Sequence, residues 1–532
     1  MRRVVEHLPV GLIMAGLALL LQACGDGGGH AGSSTADPVL RWNAVAIDAS
    51  RLDHTAVQPG EQRTFGEELG PTHTSRAFAM IHIAVADAVA MIDGSFATFF
   101  PEGTAPRDSS IEAAVAQAAH DTAVELYPSQ QATFDAALAA DLGAIPDGQP
   151  KVDGIAVGRA AAVTCLDARS GDGAELSAPG APNDFVYGDA PGVWRADPLH
   201  PDATPLSPKW GLVTPFVMTS PSQFRAPPPP ALDSAEYAAA FNEVKSVGGD
   251  GITTPTSRTP EQTIAGIYWG YDAQPSLCAP VVYNQIAVQI GSERGLSVVE
   301  NARMLALANV AMADAGIAGW ETKYFYQLWR PVTGIREADP GTGPTGLGDG
   351  NLATIGDPTW SPLGAPADNS ANSNFTPPFP AYVSGHATFG GALFATLRRF
   401  YGTDAIRFTF VSDEFNGVTT DQFGNTRPRL PRTFETLSQA EEENGQSRIY
   451  LGIHWRFDKV EGIRQGEQIA DLVFANLFRP RLWRRRITDP RAADRVRPSG
   501  GDPRSDRTRT CAALACTAPG APRRSSAPRA AR

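Results

Sequence analysis

Three short stretches of this chain carry side chains whose types and spacing suit one kind of chemistry. Glu321-Thr322-Lys323-Tyr324-Phe325-Tyr326-Gln327-Leu328-Trp329-Arg330-Pro331 sets two cations seven residues apart. Ser384-Gly385-His386 follows the proline-rich run Pro377-Pro378-Phe379-Pro380. In the third stretch Arg448 precedes His454 by six residues, and Asp458 follows it by four. Two guanidinium forks and an ammonium match the oxygens of a phosphate-like anion. A hydroxyl and a glycine amide at a helix start add neutral donors. An imidazole with a carboxylate four residues on has its tautomer set and offers its other nitrogen outward. Together these residues could hold a tetrahedral or five-coordinate oxyanion. Of the nine histidines, only His386 and His454 lie beyond position 200. Singly, each piece has a plain structural explanation, an ordinary capped helix or a satisfied core histidine; the set at this spacing argues for a site.

The elements that must position these groups follow from the flanking sequence. Proline keeps the approach to Ser384 extended. Phe389, Leu393, Phe394 and Leu397 then recur at helical spacing, which places Ser384 at an N-cap with Gly385 and His386 in the opening turn. Lys323 and Arg330, two helical turns apart, are expected on one helix face, with Pro331 ending the helix and leaving Arg330 at a mouth. Arg448 and His454 cannot share a face of one unbroken helix. A break near Gly452 is therefore expected, with His454 opening a new helix and Asp458 beneath its ring.

The ordered set Lys-x6-Arg-Pro, Ser-Gly-His and Ser-Arg-x5-His-x3-Asp resembles the superfamily that joins vanadium-dependent haloperoxidases to type 2 phosphatidic acid phosphatases and bacterial acid phosphatases, over about residues 40–478. Val383 departs from the proline usual before Ser-Gly-His, which loosens the turn without removing a ligand. In the haloperoxidase branch the resemblance implies vanadate as cofactor, with His454 as its nitrogen ligand. Lys323, Arg330, Ser384, Gly385 and Arg448 then bind its oxygens, His386 handles protons, and Lys323 polarises the bound peroxide. Hydrogen peroxide, a halide and a small organic acceptor are the implied partners. Tyr268-Trp269-Gly270-Tyr271-Asp272 and Tyr283-Asn284-Gln285 also resemble that branch, and there Asp272 would pair with Arg448; a helix-surface carboxylate is the other reading. Phe379 and Trp320 match aromatic positions beside the halide site of chloride-oxidising relatives, unless they simply pack the core. In the phosphatase branch, His454 would attack phosphorus to give a phosphohistidine and His386 would protonate the leaving alcohol. A third reading, an exported lipoprotein that kept the fold without catalysis, has no use for six intact site residues.

The rest of the chain narrows the choice. Residues 1–24 read as an export signal, with Leu21-Gln22-Ala23-Cys24 resembling a lipoprotein cleavage site and Cys24 the anchored residue, the only membrane attachment expected. That places the protein outside the cytoplasm, as a periplasmic or cell-surface lipoprotein or as a secreted protein. Past the signal no apolar run approaches the ~18–20 residues needed to span a bilayer, unlike the multi-spanning lipid phosphatases. Cys165 and Cys278 read as small buried hydrophobes, Cys511 and Cys516 fall in the tail, and no Cys/His cluster has zinc spacing. From Arg479 on, 15 Arg against 4 Asp give a net +11, which leaves about −23 for the remainder of a chain whose total is −12. An acidic body argues against nucleic acid as a partner.

Helical patterns are expected over 75–93, 111–126, 131–142, 151–168, 234–247, 260–273, 281–292 and 297–329, with a Pro/Gly-rich wrapping segment over about 178–232. Its Pro-rich 226–230 reads as a rigid spacer or a ligand for a proline-reading module. The fold expected is all-α: two packed helical bundles with long Pro/Gly-rich loops and the site in the C-terminal bundle. Its parts are the signal 1–24, a flexible linker 25–39, an N-terminal bundle with wrapping segment 40–255, a catalytic bundle 256–478 and a basic disordered tail 479–532.

Overall fold

The structure is a computed structural model that describes residues 37–100, 103, 105–271, 278–365 and 374–481. The export signal with Cys24, residues 25–36, Asp272 and the chain from 482 on, with Cys511 and Cys516, lie outside the described residues.

The N-terminal half forms α1 (Pro38–Asp53), α2 (Gly70–Asp93), α3 (Ile111–Leu126), α4 (Gln131–Ala144) and α5 (Gln149–Arg169), then α6 (Ala235–Val247). Next come α7 (Pro260–Tyr268), α8 (Ala279–Glu293), α9 (Val298–Tyr326), α10 (Pro331–Arg336) and α11 (Gly385–Tyr401). A two-stranded antiparallel sheet of β1 (Phe408–Val411) and β2 (Pro431–Phe434) pairs Phe408 with Phe434 and precedes α12 (Leu437–Tyr450) and α13 (Arg456–Asn476). The molecule is thus helical, with that one hairpin among the described residues.

Local chemistry explains most boundaries. The Ser297/Glu300 capping box starts α9, and Gln327 in the left-handed region ends it. From Asn301 to Lys323 nearly every residue of α9 is buried, so this helix is apolar on all sides and lies at the centre of the core. The larger hydrophobic core runs from Val39 on α1 to Phe478 beyond α13, and a second, smaller cluster gathers Tyr237, Trp329, Tyr382 and Trp455.

Four expectations are corrected. α1, capped by Asp37, which accepts from the N–H of Val39 and Leu40, has too weak a period to read from sequence, and the β-hairpin was likewise not anticipated. α7 ends at Tyr268 rather than near 273, and α9 ends at Tyr326 rather than 329. Pro331 therefore opens α10 at its first position instead of ending a helix, and Arg330 is the residue just before it. Finally, α2 is long and apolar enough to cross a membrane, yet 94% of its apolar window is buried inside the protein, so its apolarity is used by the core.

Two glycines, one on α11 and one on α13, set a close helix crossing. A Cβ on Gly391 would lie 2.5 Å from the Ile463 carbonyl oxygen, and one on Gly466 would lie 2.2 Å from that of Thr388. Backbones this close bring the starts of the two helices together: the Ser384 N–H donates to the Asp458 carbonyl at 3.0 Å. Gly466→Ala should thus cost roughly 1–3 kcal/mol by overpacking and lower the midpoint of a thermal melt. Gly143→Ala on α4, where an added Cβ meets nothing within 4 Å, should be neutral or stabilising. Equal midpoints for the two variants would refute the packing argument.

Candidate active site

Lys323 lies in the last turn of α9, Arg330 just before α10, Ser384 just before α11, Arg448 in the last turn of α12, and His454 two residues before α13. Five chain segments thus end or begin at one place, which is how residues 131 positions apart meet (Lys323 to His454).

The third motif breaks where its spacing implies, although α13 opens at Arg456, two residues after His454, which was expected to open it. α12 stops at Tyr450, and Gly452 turns the chain at φ 76°, where a Cβ would come within 2.5 Å of the Gly248 carbonyl oxygen. Only glycine fits that turn. Asp458 then occupies the third position of α13, and its Oδ2 accepts from the Trp455 N–H and from His454 Nδ1, each at 2.9 Å. A carboxylate facing Nδ1 places the imidazole proton there. Nε2 is left with its lone pair, 2.9 Å from Arg330 Nη1, which donates to it.

Arg330 ties three segments together: Nε donates to the Phe379 carbonyl at 2.8 Å, and Nη1 donates to the Ile453 carbonyl at 2.8 Å. Lys323 is fully buried and donates to the carbonyls of Pro380 at 3.0 Å and Ala381 at 3.1 Å, and also to that of Val383. Arg448 and His386 converge on the Gly270 carbonyl, with Nη1 at 3.2 Å and Nε2 at 2.9 Å. The early end of α7 is what exposes that carbonyl. The start of α11 is itself held, because Tyr283 Oη and Asn444 Nδ2 both donate to the His386 carbonyl, at 2.8 and 2.9 Å.

Ser384 sits at the N-cap position, but its hydroxyl makes no capping bond and is buried without a partner, as is Arg330 Nη2. Gly385 opens α11, so its N–H has no intrahelical acceptor. Phe379 and Trp320 form the apolar wall, their ring centroids 4.9 Å apart, and Lys323 Nζ lies 4.9 Å from the Phe379 ring and 5.6 Å from that of Trp320.

Burial governs the electrostatics. It lowers Lys323 well below the usual ammonium range and brings Arg330 and Arg448 down to about 9. His386 falls to about 4, and His454 is held well below the usual imidazole range by burial and by the charges of Arg330, Lys323, Arg448 and His386. Asp458 is pushed up to about 7 by burial, against the pull of the Trp455 N–H, Lys323 and Arg330. Both imidazoles are therefore neutral at neutral pH, with His454 presenting a lone pair as a metal ligand must.

This donor set fits vanadate. Three buried cations, an orphaned hydroxyl, an orphaned guanidinium N–H and a helix-start amide surround a neutral imidazole nitrogen, and all are donors or ligands for an oxyanion. His454 would hold the metal through Nε2, and Lys323, Arg330, Ser384, Gly385 and Arg448 would hold its oxygens. Sequence reasoning missed the backbone acceptors that orient these groups, the carbonyls of Gly270, Phe379, Pro380, Ala381 and Ile453. A carbonyl leaves no mark on residue identity.

The low pKa values carry a prediction. His386 at about 4 and His82 at about 3 stay neutral in the folded chain, whereas the unfolded chain protonates them near 6.5. The unfolded state thus binds more protons below 6.5. The stability these two imidazoles contribute is complete above that pH and falls as pH drops toward 4, by up to about 1.4 kcal/mol per unit for each. Asp458 and Glu441, both raised to about 7 by burial, take up protons in the folded chain over the same range and work in the opposite direction. Thermal melts of vanadate-free protein read the imidazole share by difference: His82→Gln should lose less stability than the wild type between pH 6.5 and 4. The same pH dependence in His82→Gln and wild type would contradict the burial of a neutral imidazole there.

Comparison with known proteins agrees with this geometry. Residues 303–481 match the family model described as the VCPO second helical-bundle domain. The chain is 33% identical over 498 residues to the vanadium chloroperoxidase of Curvularia inaequalis, covering 79% of this chain and 78% of that protein. A bacterial vanadium-dependent iodoperoxidase shares its fold at a TM-score of 0.63 and 24% identity, covering 83% of this chain and 97% of its own. The holo-type bacterial vanadium-dependent chloroperoxidase does so at a TM-score of 0.58 and 18% identity, covering 81% and 96%. On its sequence and its fold, then, this chain belongs to the vanadium-dependent haloperoxidase family, with vanadate as its cofactor.

Proposed function

We propose that the protein oxidises halide with hydrogen peroxide to hypohalous acid, on bromide readily and on chloride measurably. The observation that carries this reading is the neutral His454, its lone pair facing buried cations and its other nitrogen held by Asp458. Bound vanadate would supply a Lewis-acid centre that activates peroxide without changing oxidation state. The protein's own part is to place charge and protons. Lys323, Arg330 and Arg448 bind and orient oxygens where charge is negative, in a site from which water is largely excluded. His386 is the group able to exchange a proton, since an anion beside it raises its pKa from about 4 toward the working range.

Orthovanadate added to the vanadate-free protein should confer halogenation of a phenolic dye with peroxide and bromide. Hydrolysis of a phosphate ester with no vanadate-dependent halogenation would instead identify a phosphatase.

The chloride reading rests on Phe379 and Trp320. Apolar rings against Lys323 lower the local dielectric and strengthen the pull of its charge. Phe379→His should reduce chloride kcat/KM by about tenfold or more, and bromide by less, since chloride is the harder halide to oxidise. Wild-type protein active on bromide but silent on chloride would remove the chloride reading and leave the rest.

A further inference from the structure

Asn444 is a fully buried amide on α12, about one helical turn before Arg448. Its Nδ2 donates to the His386 carbonyl at 2.9 Å, and its Oδ1 lies 3.1 Å from Tyr283 Oη on α8. Tyr283 Oη, with one proton to give, is 2.8 Å from the same carbonyl. Helix geometry already assigns that carbonyl a donor, the N–H of residue 390. Donors from two further helices exceed what satisfying one buried oxygen requires. What they add is position.

The fold also makes room for this contact. A Cβ on Gly390 would run into Asn444 Nδ2, so glycine there is what lets the amide reach the first turn of α11. The other end of His386 returns to the same helix. Its Nε2 donates to the Gly270 carbonyl at 2.9 Å, where Arg448 Nη1 also donates, at 3.2 Å. His386 is thus held to α12 twice, at its backbone through Asn444 and at its ring beside Arg448. Contacts closed into a loop in this way fix the imidazole relative to the guanidinium.

We propose that Asn444, with Tyr283 behind it, is a positioning residue for His386: it sets the first turn of α11 against α12 so that the imidazole stays on the Gly270 carbonyl beside Arg448. Its effect on turnover rests on the reading of His386 as the group that exchanges a proton.

Asn444→Ala should lower kcat for bromide oxidation by about tenfold, as expected for a displaced reacting group, with bromide KM and vanadate affinity as in the wild type. Gly390→Ala should do the same, because its methyl displaces the amide. In the double variant the methyl has room, so kcat should fall no further than in Asn444→Ala alone; additive losses would overturn the proposal. Asn309 supplies the comparison for a purely structural loss. It is a buried amide whose bonds go to Asn284, at 2.8 and 2.9 Å, and to the Leu305 carbonyl. Asn309→Ala should lower the melting midpoint and leave kcat unchanged, and an Asn444→Ala variant that loses no more kcat than Asn309→Ala overturns the positioning role.

A second measurement does not depend on turnover. A carbonyl only accepts, so the ring bonded to Gly270 carries its proton on Nε2. Nitrogen NMR of histidine-labelled, vanadate-free protein at neutral pH, with His386 assigned by its loss in His386→Ala, should show that tautomer alone in the wild type. The Nδ1–H form should appear beside it in Asn444→Ala and, to a smaller extent, in Tyr283→Phe, which keeps the ring in the core. An unchanged tautomer in the variants overturns the proposal, and Tyr283→Phe with Gly390→Ala decides it should Asn444→Ala not fold. If vanadate-loaded wild type oxidises no halide, the function reading fails by itself, and the tautomer still decides whether Asn444 positions His386.

Discussion

His454→Ala should abolish vanadate binding, weakening it by well over a hundredfold, whereas His386→Ala should retain it. Loss of an outer partner of a ligand typically costs about 10–100-fold in metal affinity, and loss of the ligand itself costs more. His454 Nε2 is the imidazole nitrogen that faces Arg330, its tautomer set by Asp458 at 2.9 Å. Alanine there removes the nitrogen ligand and leaves three cations that hold oxygens only by charge. His386 contributes hydrogen bonding, worth about 1.5–3 kcal/mol when charge-assisted, so its loss should weaken vanadate by one or two orders of magnitude at most. Turnover should fall further, by about 10²–10⁴, as expected for a proton-transfer group. Calorimetric titration with orthovanadate separates the two effects. Matching affinity losses in the two variants would mean that these roles are wrongly divided.

Arg330→Lys should be nearly as damaging as Arg330→Ala, although it keeps the charge. The guanidinium reaches the Phe379 carbonyl through Nε, and the Ile453 carbonyl and His454 Nε2 through Nη1. An ammonium is a point charge without that planar fork and cannot span the three acceptors at once. The lysine variant would strand a buried carbonyl, at about 1–3 kcal/mol, and would free the imidazole that the fork orients. Vanadate affinity should drop by about a hundredfold in both variants, with a lower melting midpoint in each. A lysine variant that binds vanadate like the wild type would show that charge alone matters at this position.

How much of this could be read beforehand differs from element to element. The helix over 111–126 was legible to the residue, because its apolar period and the Ser110 cap act locally. The break at Gly452 was legible too, since six residues cannot bring Arg448 and His454 to one face without it. Arg330 was misplaced on the Lys323 helix: a proline reads equally well as the end of one helix or the start of the next, and the short 327–330 connection was settled by Gln327 adopting a left-handed conformation. α2 looked too short to span a membrane, yet its apolar stretch suffices; what decides its place is burial against α3, α5 and α9.

For the site itself, residue identity and order determined the chemistry: which side chains are cationic, which imidazole has a carboxylate four residues on, and that the set suits an oxyanion. Those properties belong to side chains and short-range spacing. Tertiary structure decided that the Ser384 hydroxyl is buried with no capping bond, that Gly270 serves Arg448 and His386 together, and that Lys323 is held by the very segment that leads to Ser384. The last two depend on backbone groups brought together from more than fifty residues apart. Backbone groups are the same in every residue, so only the packed chain, with α11 and α13 in contact through glycine, determines which of them the site can use.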